Sequence, residues 1–234
     1  MKTYVWTLTT RLFHWLMVIA LVSAFILGET EGNLNYHTAF GYLAACLIFF
    51  RIIWGFAGPK YSRFSDFPIG FGSIREFFTN MKASKQKHMG HNPAASLVML
   101  GIIITVLLLA CSGMLALAAE GAGPLAFLNL GDNETFEEMH EVFVKILVVL
   151  VILHFIGLAA DKLFHGDNGT LFSMFTGYKT KSGEPANLTT AQKVFSVLFI
   201  VIPLIAFLLG AAMQNLEENE DAPGSSKLEQ HDDD

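Results

Sequence analysis

Apolar residues come in five long runs, separated by polar and often charged segments. The runs extend from about Leu12 to Gly28, His37 to about Gly58, Pro93 to Ala119, His140 to Leu163, and Val194 to Met213. Each approaches or exceeds the roughly 20 helical residues that cross a hydrocarbon core of about 30 Å. The third contains no charged residue. None alternates with a period of two, which argues against a membrane β-barrel. The pattern predicts an all-α membrane protein.

Composition agrees. Of 234 residues, 53% are hydrophobic and only 15% charged, against about 25% charged in a soluble domain. Such a chain is not a nucleic-acid binder or a disordered protein. Its two cysteines cannot frame a secreted disulfide scaffold, and neither lies in a haem-attachment C-x-x-C-H motif. The first run follows Lys2 and Arg11 as a secretory signal would, yet it is long and lacks an A-x-A cleavage site, so it reads as an uncleaved crossing.

Charge sets the expected orientation. The N-terminus and the 58–92 and 161–193 loops hold twelve Lys and Arg, whereas residues 29–36, 120–141 and the tail from Gln214 hold Lys227 alone. By the positive-inside rule, the N-terminus faces the cytoplasm and, after five crossings of the inner membrane, the C-terminus faces the periplasm. The outer side carries sixteen acidic residues, eight of them in the tail. Residues 214–234 read as a disordered acidic tail.

Four of the eight histidines sit inside the runs or at their ends: His14, His37, His140 and His154. Ionisable groups at membrane depth are costly and mark functional sites by default. His140 and His154 are 14 residues apart, about 21 Å and nearly four whole turns along one helix, so they share a face at two depths. Depth then pairs His37 with His140 on the outer side and His14 with His154 on the inner side. Two stacked pairs in a helical bundle suit two b-type haems, each iron taking one imidazole from either side. With both axial positions filled, such a centre is confined to outer-sphere electron transfer. Zinc or copper would want three or four close ligands, and the inner pair has no Asp, Glu or Cys near it in sequence. Arg11, three residues before His14, and Arg51, 14 after His37, are placed to meet haem propionates, although arginines also snorkel at such interfaces. Gly41 and Gly157 could let a flat ring approach the helices. Cys46, Cys111, His88 and His165 receive no role, and His231 belongs to the tail.

Several short motifs add a likeness. They are Arg11-x-x-His14-Trp15, His37-x-x-x-Gly41, Arg51-x-x-Trp54-Gly55, Gly90-His91-Asn92-Pro93, the His140/His154 spacing and Thr176-Gly177-Tyr178-Lys179. In this order they resemble the bacterial di-haem cytochrome b group, which joins cytochrome b561 proteins with nickel-hydrogenase b-type subunits. The resemblance covers roughly residues 4 to 180. It implies a four-helix di-haem core (1–180) that carries electrons between the quinone pool and an outer redox partner; the acidic outer side points to a periplasmic cytochrome c or other oxidoreductase subunit as that partner. A connector with the fifth crossing (181–213) and the tail (214–234) lie beyond it. The four histidines match the family's ligand pattern. His91 and Asn92 form a candidate quinone site, against the simpler reading that Asn92-Pro93 starts a helix. The competing functions are a stand-alone oxidoreductase, such as a superoxide-oxidising or metal-reducing cytochrome, and a haem-free histidine-lined transporter.

Overall fold

The first helix starts before the apolar run does. The Thr7 hydroxyl accepts from the Thr10 amide at 3.4 Å, an N-cap that opens α1 (Leu8–Gly28). The structure, a computed structural model, describes residues 2–30, 33–79, 89–131, 134–165 and 170–220. Helix α2 (Leu34–Ala57) is followed by a short helix α3 (Phe71–Thr79). Helix α4 (Pro93–Ala119) opens on Asn92, whose side chain accepts from the Ala95 amide at 2.8 Å, with Pro93 in the first turn. Then come α5 (Glu134–His165), α6 (Thr170–Thr176) and α7 (Thr190–Glu220).

Among the described residues, four helices are long and apolar enough to cross a membrane: α1, α2, α4 and the Glu134–Leu163 part of α5. At 32 residues, α5 is about 48 Å long and exceeds the hydrocarbon core, so its acidic first turns can stand in water. The expected fifth crossing falls within α7, which continues through Pro203. The apolar stretch described there, Thr190–Ile205, is shorter than the other four. The acidic tail from residue 221 lies outside the described residues.

Helix α2 is central, with α1, α4 and α7 all packed on it, while α5 rests on α4. The core joins Met17 and Ala20 of α1 to Leu43, Ala44, Leu47 and Ile48 of α2 and Ile103 and Val106 of α4. Lipid tails are as apolar as these side chains, so close van der Waals packing holds the helices together. On the far side of α2, Phe195 of α7 stacks on Trp54 with ring centres 6.1 Å apart and planes 2° from parallel. No side chain in the most apolar window of α5 is buried, which leaves this helix outside the core.

One end of the bundle is closed by backbone. Strand β1 (Thr3–Tyr4) pairs antiparallel with β2 (Tyr178–Lys179), Thr3 opposite Lys179. The amides of Val5 and Trp6 both donate to the Gly177 carbonyl, at 2.8 and 3.1 Å, and the Ala186 amide donates to Tyr4 O at 2.8 Å. Gly177 has φ +86°, and a Cβ there would lie 2.6 Å from the Tyr4 ring, so only glycine fits without strain. Val5, Trp6, Tyr61 and Ala186 make a second small core under this closure. We call this end proximal. The opposite end, where α1 gives way to α2 and α4 to α5, is distal.

Candidate functional site

Two of the four histidines meet at the distal end. The rings of His37 (α2) and His140 (α5) have centres 6.1 Å apart at 76° to each other. Each ring is oriented by a partner on its Nδ1. His37 Nδ1 donates to the Ala24 carbonyl of α1 at 2.8 Å. His140 Nδ1 lies 3.0 Å from Ser112 Oγ, whose own proton goes to the Leu109 carbonyl, so here too the imidazole donates. Both Nδ1 atoms thus carry the hydrogen, and both Nε2 lone pairs are left for a ligand bond. Two glycines admit these rings. A Cβ on Gly28 would stand 2.9 Å from His37 Nδ1, and one on Gly113 3.2 Å from His140 Cε1.

The separation tests the expected group. Imidazole nitrogens bind metals at about 2 Å, and the ring centre lies roughly 1 Å further, so two rings on opposite sides of one ion are roughly 6 Å apart. The distal pair has that spacing. Among the described residues, no three His, Cys, Asp or Glu side chains gather to hold a metal ion, so the remaining ligands would come from a macrocycle. Open space lies where a Cβ on Gly41 or Gly157 would stand, as a flat ring near the helices requires.

At the proximal level, His14 (α1) and His154 (α5) stand close enough to interact electrostatically. His14 packs edge-on against Trp15, ring centres 5.0 Å apart, and its Nδ1 is buried without a partner. Arg11 and Trp15 fasten this part of α1 to the end of α6. Arg11 Nη1 donates to the Phe175 carbonyl, and Trp15 Nε1 donates to the Met174 carbonyl at 3.2 Å. Arg11 Nε is buried without a partner. Arg51 is 6% exposed, lies with its guanidinium 5.1 Å from the Phe64 ring centre, and has an unpartnered Nη1. Gly55, one turn on, makes room for the same ring, since a Cβ there would fall 2.2 Å from Phe64.

His91 lies at the mouth of the proximal end, its ring between Trp6 (centres 4.9 Å apart) and Phe67 (5.0 Å). Its Nδ1 is buried without a partner. Burial, reinforced by the charges of Lys179 and Arg51 and by His154, pulls its pKa down to about 3, so it is neutral. Asn92 spends its side-chain oxygen on capping α4. Lys179 is buried too. Its Nζ donates to Gly90 O at 3.1 Å and lies 5.7 Å from the Trp6 ring centre.

Sequence reasoning missed Ser112, Gly28 and Gly113 beside the distal pair, because small residues in apolar helices carry no signal of their own. It also passed over Lys145, inside the fourth run, which pairs with Glu141 at 3.2 Å one turn away. Cys46 and Cys111 are both free and exposed. His88 and His231 lie outside the described residues.

The family model of prokaryotic cytochrome b561 matches residues 5–177. The chain is 24% identical over 213 residues to a probable Ni/Fe-hydrogenase B-type cytochrome subunit of Cupriavidus necator, with 76% of this chain and 87% of that protein covered. It is 26% identical over 190 residues to a protein of the same description from Rhizobium leguminosarum bv. viciae, covering 65% and 79%. No solved structure matches the chain significantly.

Proposed function

Since the chain belongs to the prokaryotic cytochrome b561 family, and is thereby a multi-pass membrane b-type cytochrome of electron transfer, we propose that it holds two haems b and passes electrons through the bilayer between quinone and a periplasmic redox partner. The observation that carries this reading is the distal pair, two imidazoles 6.1 Å apart with both Nδ1 atoms already engaged.

His37 and His140 would hold the distal haem, and His14 and His154 the proximal one. Bound haem supplies a one-electron couple whose potential the surroundings set. The chain's own part is to fix geometry and charge. Ala24 O and Ser112 Oγ hold the distal rings in one tautomer, and α5 carries both levels on one rigid element. Arg51, and the free Nε of Arg11, offer positive charge to propionates at the proximal level. Held by these four histidines, the haems would supply outer-sphere electron transfer, and the protein would act as an electron relay. His91 is the donor we place at a proximal quinone site, with Asn92 shaping it through the start of α4.

In this reading the proximal end faces the cytoplasm and the distal end the periplasm, which the basic loops support, and α7 makes the fifth crossing. Two relatives are described as subunits of a Ni/Fe hydrogenase, which supports an oxidoreductase on the distal side, and the acidic distal surface suits a basic one such as cytochrome c.

The test is spectroscopic. The intact protein should bind two haems with separable midpoint potentials. His140→Ala should remove the distal haem alone and His154→Ala the proximal one. One haem per fully loaded chain would overturn the pairing.

A further inference from the structure

Two of the sequence motifs meet at the proximal end. Thr176-Gly177-Tyr178-Lys179 reaches Gly90-His91-Asn92-Pro93 through the hydrogen bond from Lys179 Nζ to Gly90 O, 3.1 Å across 89 positions of sequence. Around it runs an arc of rings. Phe64 lies 5.8 Å from Phe67, Phe67 5.0 Å from His91, and His91 4.9 Å from Trp6. A cation sits at either end of the arc, Arg51 on Phe64 and Lys179 on Trp6.

The charges do not cancel. Among the described residues three charged side chains are buried: Arg51 at 6% exposure, Lys179 at 5% and Asp161 at 9%. Asp161 acts electrostatically on Lys179, whereas burial alone acts on Arg51. An uncompensated charge in a buried site costs several kcal/mol, so such an arrangement calls for a further anion. A donor for it stands ready, since Arg51 Nη1 is buried without a partner, as is the nearby His91 Nδ1. A single hydrogen bond to a neutral carbonyl leaves Lys179 with donors to spare. Burial lowers the Lys179 pKa to about 8, with Lys181 adding to the effect and Asp161 opposing it, as expected of an ammonium short of negative charge. His91 couples electrostatically to Lys179, to Arg51 and to His154, so the cationic box adjoins the proximal haem ligand.

We propose that Lys179 is a cofactor-binding residue that holds a propionate carboxylate of the proximal haem. The assignment rests on the di-haem reading above. The same chemistry, an anionic oxygen group, could be offered by a phospholipid headgroup of the adjoining leaflet, and the experiment separates the two.

Midpoint potentials of both haems are measured in wild type, Lys179→Met and Lys179→Arg, each in vesicles of phosphatidylcholine alone and of phosphatidylcholine with phosphatidylglycerol. His140→Ala, which leaves the proximal haem alone, assigns the potentials. A cation beside a propionate favours the added electron. Its loss in Lys179→Met should reduce the equilibrium constant for proximal reduction roughly tenfold, the effect of a unit charge at about 10–12 Å across an effective dielectric near 20. That is a fall of about 59 mV for one electron, with the distal haem unmoved and Lys179→Arg close to wild type. The fall should be the same in both lipids. A fall confined to anionic vesicles would show Lys179 gripping a headgroup and would overturn the assignment. Two haems with unchanged potentials in Lys179→Met would overturn it as well, by reducing Lys179 to a clamp on Gly90. A protein that binds no haem, or one, fails at the earlier reading instead.

Discussion

At the scale of single residues, what matters most is how the histidines are kept in one protonation state. Ser112 gives its own hydrogen to Leu109 O and so presents only lone pairs to His140, which fixes the tautomer without any charge. Partners of this kind typically contribute 10–100-fold to the affinity of a ligated metal. Ser112→Ala should weaken distal haem binding roughly 10–100-fold and leave the proximal haem in place, read as haem per chain during dilution or competition with apomyoglobin. His91 makes the opposite case, a ring that the fold keeps neutral. Its pKa is about 3 in the folded protein against 6.5 for the free side chain, lowered chiefly by burial. Between those values the unfolded chain binds more protons than the folded one, so stability rises with pH across this window and is lost as pH falls below 6.5. Each unit down costs at most about 1.4 kcal/mol. His91→Gln should flatten thermal stability against pH from 6 to 4, measured in detergent, while wild type declines.

At the scale of elements, the strand pair β1–β2 closes the proximal end and depends on Gly177. A side chain there would meet both a positive φ and the Tyr4 ring, with a cost of order 1–3 kcal/mol before any clash is relieved. Gly177→Ala should lower the melting temperature and speed amide exchange at Val5 and Trp6, with distal haem binding retained. This closure also marks where sequence reading runs out. The four crossings were legible because an apolar run of about 20 residues with few charges matches the thickness of a bilayer and little else. The depth sorting of the histidines was legible because 14 residues is nearly a whole number of turns. By contrast, the motif at 176–179 was recognisable but mute: nothing in Thr-Gly-Tyr-Lys says that its glycine carbonyl accepts two amides from residues 5 and 6. The same holds for Gly55, whose purpose is the Phe64 ring that lies against it. Contacts of long sequence separation between small and aromatic residues leave no periodic trace. Arg51 was legible as a cation near the proximal level, whereas the burial of Lys179 had no signal, because lysine after a helix is ordinarily a solvated residue.

At the scale of the whole molecule, the distal surface carries Glu134, Glu137, Glu138 and Glu141, all exposed, within two turns of His140. A field of this sign speeds encounter with a basic partner and weakens as salt shortens the Debye length to about 8 Å at 0.15 M. Reduction of a lysine-rich cytochrome c should therefore slow steeply with salt, and Glu137→Gln with Glu138→Gln should slow it at low salt. Stopped-flow traces indifferent to both would mean that electrons leave through a permanently packed subunit contact. Finally, the register of Thr3 against Lys179 has a bearing on the order of events at the ribosome. The first strand is translated long before its partner. At 5–20 residues per second, roughly ten to thirty-five seconds separate the two. Through that interval Val5 and Trp6 have no Gly177 carbonyl to bind. His37 and His140 are both translated before residue 177. Both histidines of the distal pair are thus synthesised before the segment that closes the proximal end, which needs the residues that follow α6. Translation can therefore complete the proximal closure only after helices α1, α2, α4 and α5.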